Sequence, residues 1–324
     1  MKFFYGHGEG NYIDITKEVF QNCLKDDGIY ISADDGERSK IIGYDPYPYI
    51  LKHILIIDHF NNKYIYSATK EVIIKFESIS QQLTNNKSPK KWWNTVGKFI
   101  TDPKERLNTL QKHLNLYHTG WGGFEYEYPE QLMAINNVNE NSKVLEIGGN
   151  VGRVSHIIQT ILNNSKNHVI MECDNDMANK LRFNLKTNGF DDINIETNCL
   201  SKTPLYMDGG HGPRPIEDFK DTENPVKVPT ISYSEICRKY NINFDILVAD
   251  CEGSLFYIFK EDPDMLNNIH TVVMENDYTE LTHKQAVDAI LKDKGFKLVY
   301  QEKGVPWASW SCCYEYFYEV WKKE

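Results

Sequence analysis

The pattern of apolar and polar positions changes near residue 144. From there, short apolar runs that predict buried strands alternate with stretches in which apolar residues recur at helical spacing. Strands that alternate with helices indicate a parallel sheet with helices on its faces. The five predicted strands begin at Val144, His168, Ile193, Ile246 and His270.

Two further runs, FKLVYQE and CYEYFYEV, follow a predicted helix at residues 283–295. Because no helical pattern separates them, they predict an antiparallel hairpin at the edge of the sheet. The pattern therefore predicts a seven-strand, doubly wound α/β sheet in the domain at residues 121–324.

The first 80 residues have a different pattern, with short β-type runs such as GIYIS, HILIID and KYIYSA. They predict a small β-rich domain, with a hairpin turn at Asn61 and Asn62. The pattern of residues 81–120 predicts a helical connector, in which one helix begins at Asp102 and Pro103. Dimerisation, acceptor binding and cover for the sheet edge all stay open as roles of the N-terminal domain, and a homodimer is one expectation.

A glycine-rich turn joins the first strand to its helix. Gly148, Gly149 and Gly152 let the backbone turn sharply, and the helix N-terminus that follows favours an electronegative ligand group. The G-G-N-V-G pattern lacks the spacing of a dinucleotide fingerprint, and no Lys-Ser/Thr follows as in a P-loop. Glu146 suits a ligand with a cationic amino group, such as S-adenosylmethionine. A tight turn without a ligand is the alternative.

Acids and polar residues end the neighbouring strands. Glu172 follows Glu146 by 26 residues and ends the second strand. Since ligands of open α/β sheets bind at the carboxyl ends of strands, Glu172 is predicted to reach the hydroxyls of an adenosine ribose. Asn198 and Ser201, after the third strand, are predicted to lie beside the adenine, and an ordinary loop is the equal alternative there.

Two motifs resemble those of the FkbM family of S-adenosylmethionine-dependent O-methyltransferases. The family's D-V-G-A-N-I-G corresponds to E-I-G-G-N-V-G at residues 146–152, and its K-I-D-V-E-G corresponds to V-A-D-C-E-G at residues 248–253. The resemblance covers residues 120 to 324 and implies a class I methyltransferase (Rossmann-like) fold, S-adenosylmethionine as cofactor and a sugar or polyketide-type hydroxyl as acceptor. The predicted cofactor-binding residues are Glu146, Gly148, Gly149, Asn150, Gly152, Glu172, Asn198, Ser201 and Asp250.

Carboxylates after the fourth and fifth strands are the predicted catalytic residues. Asp250 is the candidate general base, because removing a proton from the acceptor hydroxyl contributes about 10²–10⁴-fold in rate. Glu252 and Glu275 are predicted to orient the acceptor. Together with Asp277, these oxygens are also a ligand set for a divalent cation. We expect no metal, and the cation stays the alternative.

Aromatic and polar residues outside the sheet are candidates for acceptor binding. The stretch TGWGGFEYEYPEQL sets aromatic faces beside carboxylates, which suits a sugar, and packing against the core is the equal alternative. A loop at residues 202–228 shows little secondary-structure signal and is interpreted as a lid or a disordered segment. The predicted acceptor residues are Trp121, Glu125, Tyr126 and His211.

Composition narrows the function classes. A net charge of −10 and a pI near 5.5 argue against sequence-independent nucleic-acid binding. No apolar run approaches the roughly 20 residues that span a bilayer, and no signal-peptide pattern begins the chain. Seven scattered cysteines suggest reduced thiols. We expect a cytoplasmic protein, and the Asn-, Ile-, Lys- and Tyr-rich usage suggests an AT-rich genome such as that of a large DNA virus, with the host cytoplasm as location.

The sequence thus predicts an S-adenosylmethionine-dependent O-methyltransferase that acts on a sugar hydroxyl in glycan modification. One alternative is a methyltransferase whose acceptor is a nucleic acid, a protein or a small natural product. The other is a non-catalytic cofactor-binding scaffold in a glycan-assembly complex.

Overall fold

The computed structural model describes residues 2–8, 10–25, 28–57, 63–67, 69–75, 89–120, 122–208, 212–219 and 224–323. The chain divides into two compact units, Met1–Asn86 and Lys87–Glu324. The predicted hairpin turn at Asn61 and Asn62 lies outside the described residues, and so do Trp121 and His211.

The described residues of the N-terminal unit form two small antiparallel sheets and two helices. The first sheet has the order β2-β1-β5-β6, and the second has the order β3-β4-β7. Strands β5 and β6 pair antiparallel, with Leu55 opposite Ile65, as the sequence predicts. The elements are β1 (Lys2–His7), β2 (Asn11–Asp14), α1 (Thr16–Asn22), β3 (Leu24–Lys25), β4 (Gly28–Ile31), α2 (Asp35–Ile42), β5 (His53–Ile57), β6 (Lys63–Tyr66) and β7 (Val72–Lys75).

The larger unit is built on a seven-stranded sheet with the order β10-β9-β8-β15-β16-β18-β17. Its first five strands are parallel, and β18 runs antiparallel to both of its neighbours. This is the arrangement of the class I methyltransferase fold, so the predicted fold class is confirmed. The strands are β8 (Val144–Ile147), β9 (His168–Met171), β10 (Asn194–Glu196), β15 (Ile246–Ala249), β16 (Thr271–Glu275), β17 (Phe296–Glu302) and β18 (Tyr318–Lys323).

Helices cover both faces of this sheet. The first face carries α3 (Pro89–Thr95), α4 (Pro103–Gln111), α5 (Tyr128–Asn137), α6 (Arg153–Ile161) and α7 (Asn175–Thr187), and the second carries α8 (Tyr233–Tyr240), α9 (Leu255–Glu261) and α10 (Leu281–Asp293). A hydrophobic core lies on each face of the sheet, and alternate residues of β8 point to opposite faces. Val144 packs in the core of the first face, and Leu145 and Ile147 pack in the core of the second. All four residues of β8 are buried, as expected of a central parallel strand.

Burial rather than intrinsic propensity holds α6 in place. Its sequence, RVSHIIQTI, is rich in β-branched residues of modest helix propensity, and every residue in it is buried. A buried Val or Ile side chain contributes roughly 1.5–3 kcal/mol, which exceeds the propensity deficit of a few tenths of a kcal/mol per residue. The helix therefore forms directly after the glycine turn.

Helices α3 and α4 belong to the larger unit, where Trp93, Leu107 and Leu110 pack in the first core. The Asp102 side chain accepts a hydrogen bond from the Glu105 N–H at 2.7 Å, and Pro103 stands in the first turn of α4. The helix start predicted at these residues is confirmed. No helix in the described parts of the chain has both the length and the apolar character needed to cross a membrane.

The segment at residues 202–228 is more regular than its sequence predicts. Strand β12 (Leu205–Met207) pairs antiparallel with β13 (Val226–Val228), and just outside the segment β11 (Cys199–Leu200) pairs in parallel with β14 (Thr230–Ile231). These strands have three residues or fewer, which is too short for an alternating pattern to be visible. The expectation of a segment without regular structure is therefore wrong for its described residues.

Candidate active site

A cavity of about 270 Å³ opens at the carboxyl ends of the parallel strands. Its walls come from the turns after β8, β9 and β15, the β10–β11 segment, the short strand β12 and the segment after it, and α9. We call it the front cavity. It is lined by Ile147, Gly148, Asn150, Met171, Glu172, Cys173, Asn198, Cys199, Leu200, Leu205, Met207, Gly212, Pro213, Asp250, Cys251, Glu252, Ser254 and Ile258.

Gly148 is where the turn after β8 passes closest to its neighbour. Its φ is +90°, and a Cβ at this position would lie 1.6 Å from the carbonyl oxygen of Asp250. Its N–H donates to the Met171 carbonyl oxygen at 3.0 Å, which ties the turn to the end of β9. Only glycine fits this contact. Gly149 and Gly152 serve helix packing instead, since a Cβ on either would lie within 2.6 Å of Ile170 or Leu181.

The Glu172 carboxylate lines the front cavity and is held by the backbone. It accepts hydrogen bonds from the Asn150 N–H at 2.8 Å and from the Asp174 N–H at 2.9 Å. Burial raises the pKa of Glu172, and these two donors oppose that shift. Its position after the second strand and its aim into the cavity suit a ligand with neighbouring hydroxyl groups.

Four of the predicted cofactor residues, Glu146, Gly149, Gly152 and Ser201, are absent from the walls of the front cavity. Glu146 extends toward the α6 side of the sheet, where its Oε1 accepts from Ser155 Oγ at 3.0 Å and its Oε2 lies 2.8 Å from His168 Nε2. Ser201 is buried and donates to the Glu261 carboxylate at 3.0 Å. Asn198, in contrast, lines the cavity.

Asp250 stands at the centre of the site, directly after β15. Burial raises its pKa well above the ordinary range, and the negative charges of Glu127 and Asp277 add to the shift. Glu252, which also lines the cavity, has a left-handed backbone with φ of +53°. Asp277 lies behind this turn and accepts from the Gly253 N–H at 2.7 Å, while burial raises its pKa to about 7.

Glu275 is absent from the front cavity walls. It lies beside a second, much smaller cavity of about 10 Å³, which we call the rear cavity. Asp250 lines both cavities. The structure therefore separates the three predicted catalytic carboxylates, with Asp250 between Glu252 in front and Glu275 behind. The rear cavity is lined by Glu130, Met133, Glu146, Ile147, Gly148, Val154, Val248, Ala249, Asp250, Val273, Met274 and Glu275.

Glu130, on α5, also belongs to this region, although the sequence predicts no catalytic or cofactor-binding role for it. Its side chain is 3% exposed, and one of its oxygens lies within 4.8 Å of oxygens from both Asp250 and Glu275. A signal was present, because Glu130 shares the buried face of α5 with Met133 and Ala134 at i+3 and i+4. An acid at such a position is unusual unless it has a partner.

The predicted acceptor residues that the structure describes lie at the surface. Glu125 is exposed and Tyr126 is 43% exposed, and neither lines the front cavity. Arg153 anchors their segment, since its buried guanidinium pairs with Glu127 and donates to the carbonyl oxygens of residues 119, 122 and 123.

Part of the segment after β12 crosses the front cavity. Pro213 accepts a hydrogen bond through its carbonyl oxygen from Ser254 Oγ at 2.9 Å. A Cβ on Gly212 would lie 2.6 Å from the Cys251 carbonyl oxygen, so the two backbones are in close contact. Next to this contact, Arg214 stacks over the Phe219 ring at 3.9 Å.

A scan of protein-family models finds no match to the chain, and a search of curated proteins finds none either. Several solved structures are similar. A ribosomal protein L11 methylase from Lactobacillus delbrueckii subsp. bulgaricus is 10% identical, with 63% of this chain and 81% of that chain covered and a TM-score of 0.40. An O-methyltransferase from Bacillus cereus in complex with SAH is 12% identical, with 75% and 98% covered and a TM-score of 0.35.

A precorrin-6y C5,15-methyltransferase from Geobacter metallireducens is 13% identical, with 60% of this chain and 88% of that chain covered and a TM-score of 0.34. At these identities and TM-scores, none of the three structures bears on the reaction or the acceptor of this protein.

Proposed function

We propose that the protein is an S-adenosylmethionine-dependent O-methyltransferase, similar to the FkbM family, that methylates a hydroxyl group of a sugar. The observation that carries the proposal is the front cavity, where the Gly148 turn, the backbone-held Glu172 and the half-buried Asp250 meet at the ends of parallel strands. The acidic net charge of −10 disfavours a nucleic-acid acceptor.

The residues of the front cavity fit the adenosine part of the cofactor. Glu172 offers a carboxylate, held in place by two N–H donors, to the ribose hydroxyls. Leu200, Leu205 and Ile258 offer apolar surface to a flat base. Bound there, the cofactor supplies an electrophilic methyl group on a sulfonium.

Asp250 takes the role of proton acceptor for the acceptor hydroxyl. A general base works best when its pKa lies near the operating pH, and burial moves the pKa of Asp250 in that direction. Glu252 lines the same cavity and is the nearer of the two remaining predicted carboxylates for binding other hydroxyl groups of a sugar. Glu275 lies behind Asp250 and acts on it rather than on the acceptor.

Two exposed aromatic side chains outside the front cavity are candidates for contact with a carbohydrate acceptor. Tyr126 is 43% exposed and Trp307 is 50% exposed, so each presents an aromatic face to solvent. Such faces pack against the apolar C–H surface of a sugar ring.

A transfer assay tests the proposal. Purified protein, S-adenosylmethionine and a panel of deoxysugar-containing oligosaccharides and nucleotide sugars are incubated, and mass spectrometry detects one added methyl group. We expect a methylated sugar from the wild type. Binding of S-adenosylhomocysteine without any product would move the acceptor outside the sugars, and absence of binding would contradict the enzyme assignment.

The Asp250→Asn variant tests the base. We expect transfer to fall by about 10²-fold or more, because the amide cannot accept the proton, while S-adenosylhomocysteine binds with little change. Full activity in this variant would contradict the role of Asp250. Asp176→Asn, an exposed change on α7, is the matched control and should transfer at the wild-type rate.

A further inference from the structure

Four carboxyl side chains line the rear cavity. Glu146 accepts a hydrogen bond from Ser155 and lies beside His168, and the other three come from separate elements. Glu130 comes from α5, Asp250 follows β15 and Glu275 ends β16. The cavity volume of about 10 Å³ accommodates a single water-sized species. The remaining walls are largely apolar, with Met133, Val154 and Val273 among them.

The spacing of the carboxylate oxygens matches that of ligands on one ion. One oxygen from each of Glu130, Asp250 and Glu275 lies within 4.8 Å of the other two. A hard divalent cation such as Ca²⁺ binds oxygen at about 2.3–2.6 Å, so two ligands on one ion are at most about 5 Å apart. The three carboxylates together offer up to six oxygens, the coordination number that such ions require.

The hydrogen bonding of Glu130 independently points to a missing partner. Both of its carboxylate oxygens are buried, and within the described chain no donor group faces either of them. Its neighbour Glu275 can donate to it only when one of the two carboxyl groups holds a proton. The Tyr318 hydroxyl is likewise buried. Burial raises its pKa, and the nearby negative charges of Glu130 and Glu275 add to that rise.

Burial raises the pKa of Glu130, and the positive charge of Arg153 opposes this shift only in part. The Arg153 guanidinium pairs with Glu127 and is otherwise occupied by three backbone carbonyl oxygens. An uncompensated buried carboxylate costs several kcal/mol, and here three share one small space. The group must therefore hold either a cation or at least one shared proton.

We propose that Glu130, Asp250 and Glu275 bind one divalent cation with a preference for oxygen ligands, of the Mg²⁺, Mn²⁺ or Ca²⁺ type. The ion lies in the rear cavity, where it joins α5 to the ends of β15 and β16. Because Asp250 lines both cavities, the ion would also fix the orientation of the carboxylate that faces the front cavity. Its positive charge would offset the rise in pKa that burial gives Asp250, so Asp250 would be a weaker base in the ion-bound protein than in the metal-free protein. The inference rests on the rear cavity and does not depend on the identity of the ligand in front.

The experiment is a titration of chelator-treated full-length protein with MnCl₂, followed by the electron paramagnetic resonance signal of free Mn²⁺. We expect one tight site per chain in the wild type. Glu130→Gln should weaken Mn²⁺ binding at least 10-fold, because the amide removes a charged ligand while keeping the side-chain volume. Glu105→Gln, an exposed acid on α4, is the matched control and should bind Mn²⁺ as the wild type does.

Two results would overturn the inference. One is the absence of a tight site in the wild type, which would leave a shared proton as the partner of Glu130. The other is a tight site that both Glu130→Gln and Glu275→Gln retain at full affinity, which would place the ion elsewhere. Since S-adenosylhomocysteine binding is measured separately in metal-free protein, a failure of the proposed function is recognised independently of either result.

Discussion

The front and rear cavities share Asp250 but satisfy their carboxylates in opposite ways. In front, Glu172 receives hydrogen bonds from two backbone N–H groups. Behind, neither oxygen of Glu130 faces a donor within the described residues, and its closest polar neighbours are other carboxylates. Glu172 is partly shielded from solvent and Glu130 almost completely, and the two acids differ most clearly in their hydrogen-bond partners.

This difference separates two kinds of binding site. A carboxylate that backbone donors already stabilise as an anion can offer its remaining lone pairs to neutral hydroxyl groups. Carboxylates that face one another are stable only with a shared proton or a cation between them. The same residue type thus suits a ribose in front and a metal ion behind, because the backbone supplies donors on one side of Asp250 only.

The largest expected loss of stability comes from adding a Cβ at Gly148, where the turns after β8 and β15 are in close contact. Gly148→Ala sets a Cβ 1.6 Å from the Asp250 carbonyl oxygen at a φ of +90°. We expect the free energy of unfolding to fall by about 2–5 kcal/mol, from left-handed strain and overpacking together, as measured by urea denaturation.

Gly295→Ala is the control for strain without a clash. Its φ is +84°, and a Cβ there meets nothing within 4 Å. We expect a loss of only about 1–2 kcal/mol. Equal losses in the two variants would show that the neighbours of Gly148 move to accommodate the added Cβ. The close approach of the two turns would then add nothing to the cost of backbone strain.

A smaller effect is expected from Glu172→Gln, which tests the front cavity. The amide can accept only one of the two backbone hydrogen bonds, and its NH₂ group faces the other donor. We expect the affinity for S-adenosylhomocysteine to fall by about 1.5–3 kcal/mol, or roughly 10- to 100-fold, by calorimetry. Unchanged affinity would remove Glu172 from the ligand site, and Asp176→Asn on the next helix serves as the control.

The smallest expected change in stability, per unit of pH, concerns Asp277. Its carboxylate resembles that of Glu172 at one oxygen and that of Glu130 at the other. One of its oxygens accepts from the Gly253 N–H, and the other is buried with no donor in the described chain. Burial raises its pKa from 3.8 to about 7, so at intermediate pH the folded protein retains a proton that the unfolded chain has lost. Stability should therefore fall as the pH rises from about 4 through 7.

Thermal unfolding between pH 5 and pH 8, in the presence of a chelator, measures this dependence. Asp277→Asn keeps the acceptor for Gly253 and removes the titrating group. We expect it to flatten the decline by up to about 1.4 kcal/mol per pH unit. A profile as steep as that of the wild type would assign the titration to other carboxylates of the cluster.

The larger sheet could be predicted from the sequence because its strands are short apolar runs bounded by turn residues. The sequence was insufficient for Glu146, since all four residues of β8 are buried and the pattern cannot show which face a side chain takes. It also missed α2, whose single buried residue is Arg38, because hydrophobic periodicity does not register a buried guanidinium.

The remaining differences between prediction and structure concern side chains that are far apart in the chain and meet only in the folded protein. Glu130 meets Asp250 and Glu275 only after α5 docks on the sheet, because it precedes both of them by more than a hundred residues of chain. Ser201 faces Glu261 because of how β11 and α9 pack, which no local pattern expresses. In contrast, the Gly148 turn is local, and the sequence predicts it with the correct strand and helix on either side.

Strand β18 lies between β16 and β17 although β17 precedes it in the chain. In the described sheet, β17 pairs with β18, so it joins the sheet through a strand that follows it in the chain. Until β18 arrives, β16 presents an unpaired edge next to Glu275, which makes this edge the part of the sheet most open to wrong pairing with a second chain while the protein folds.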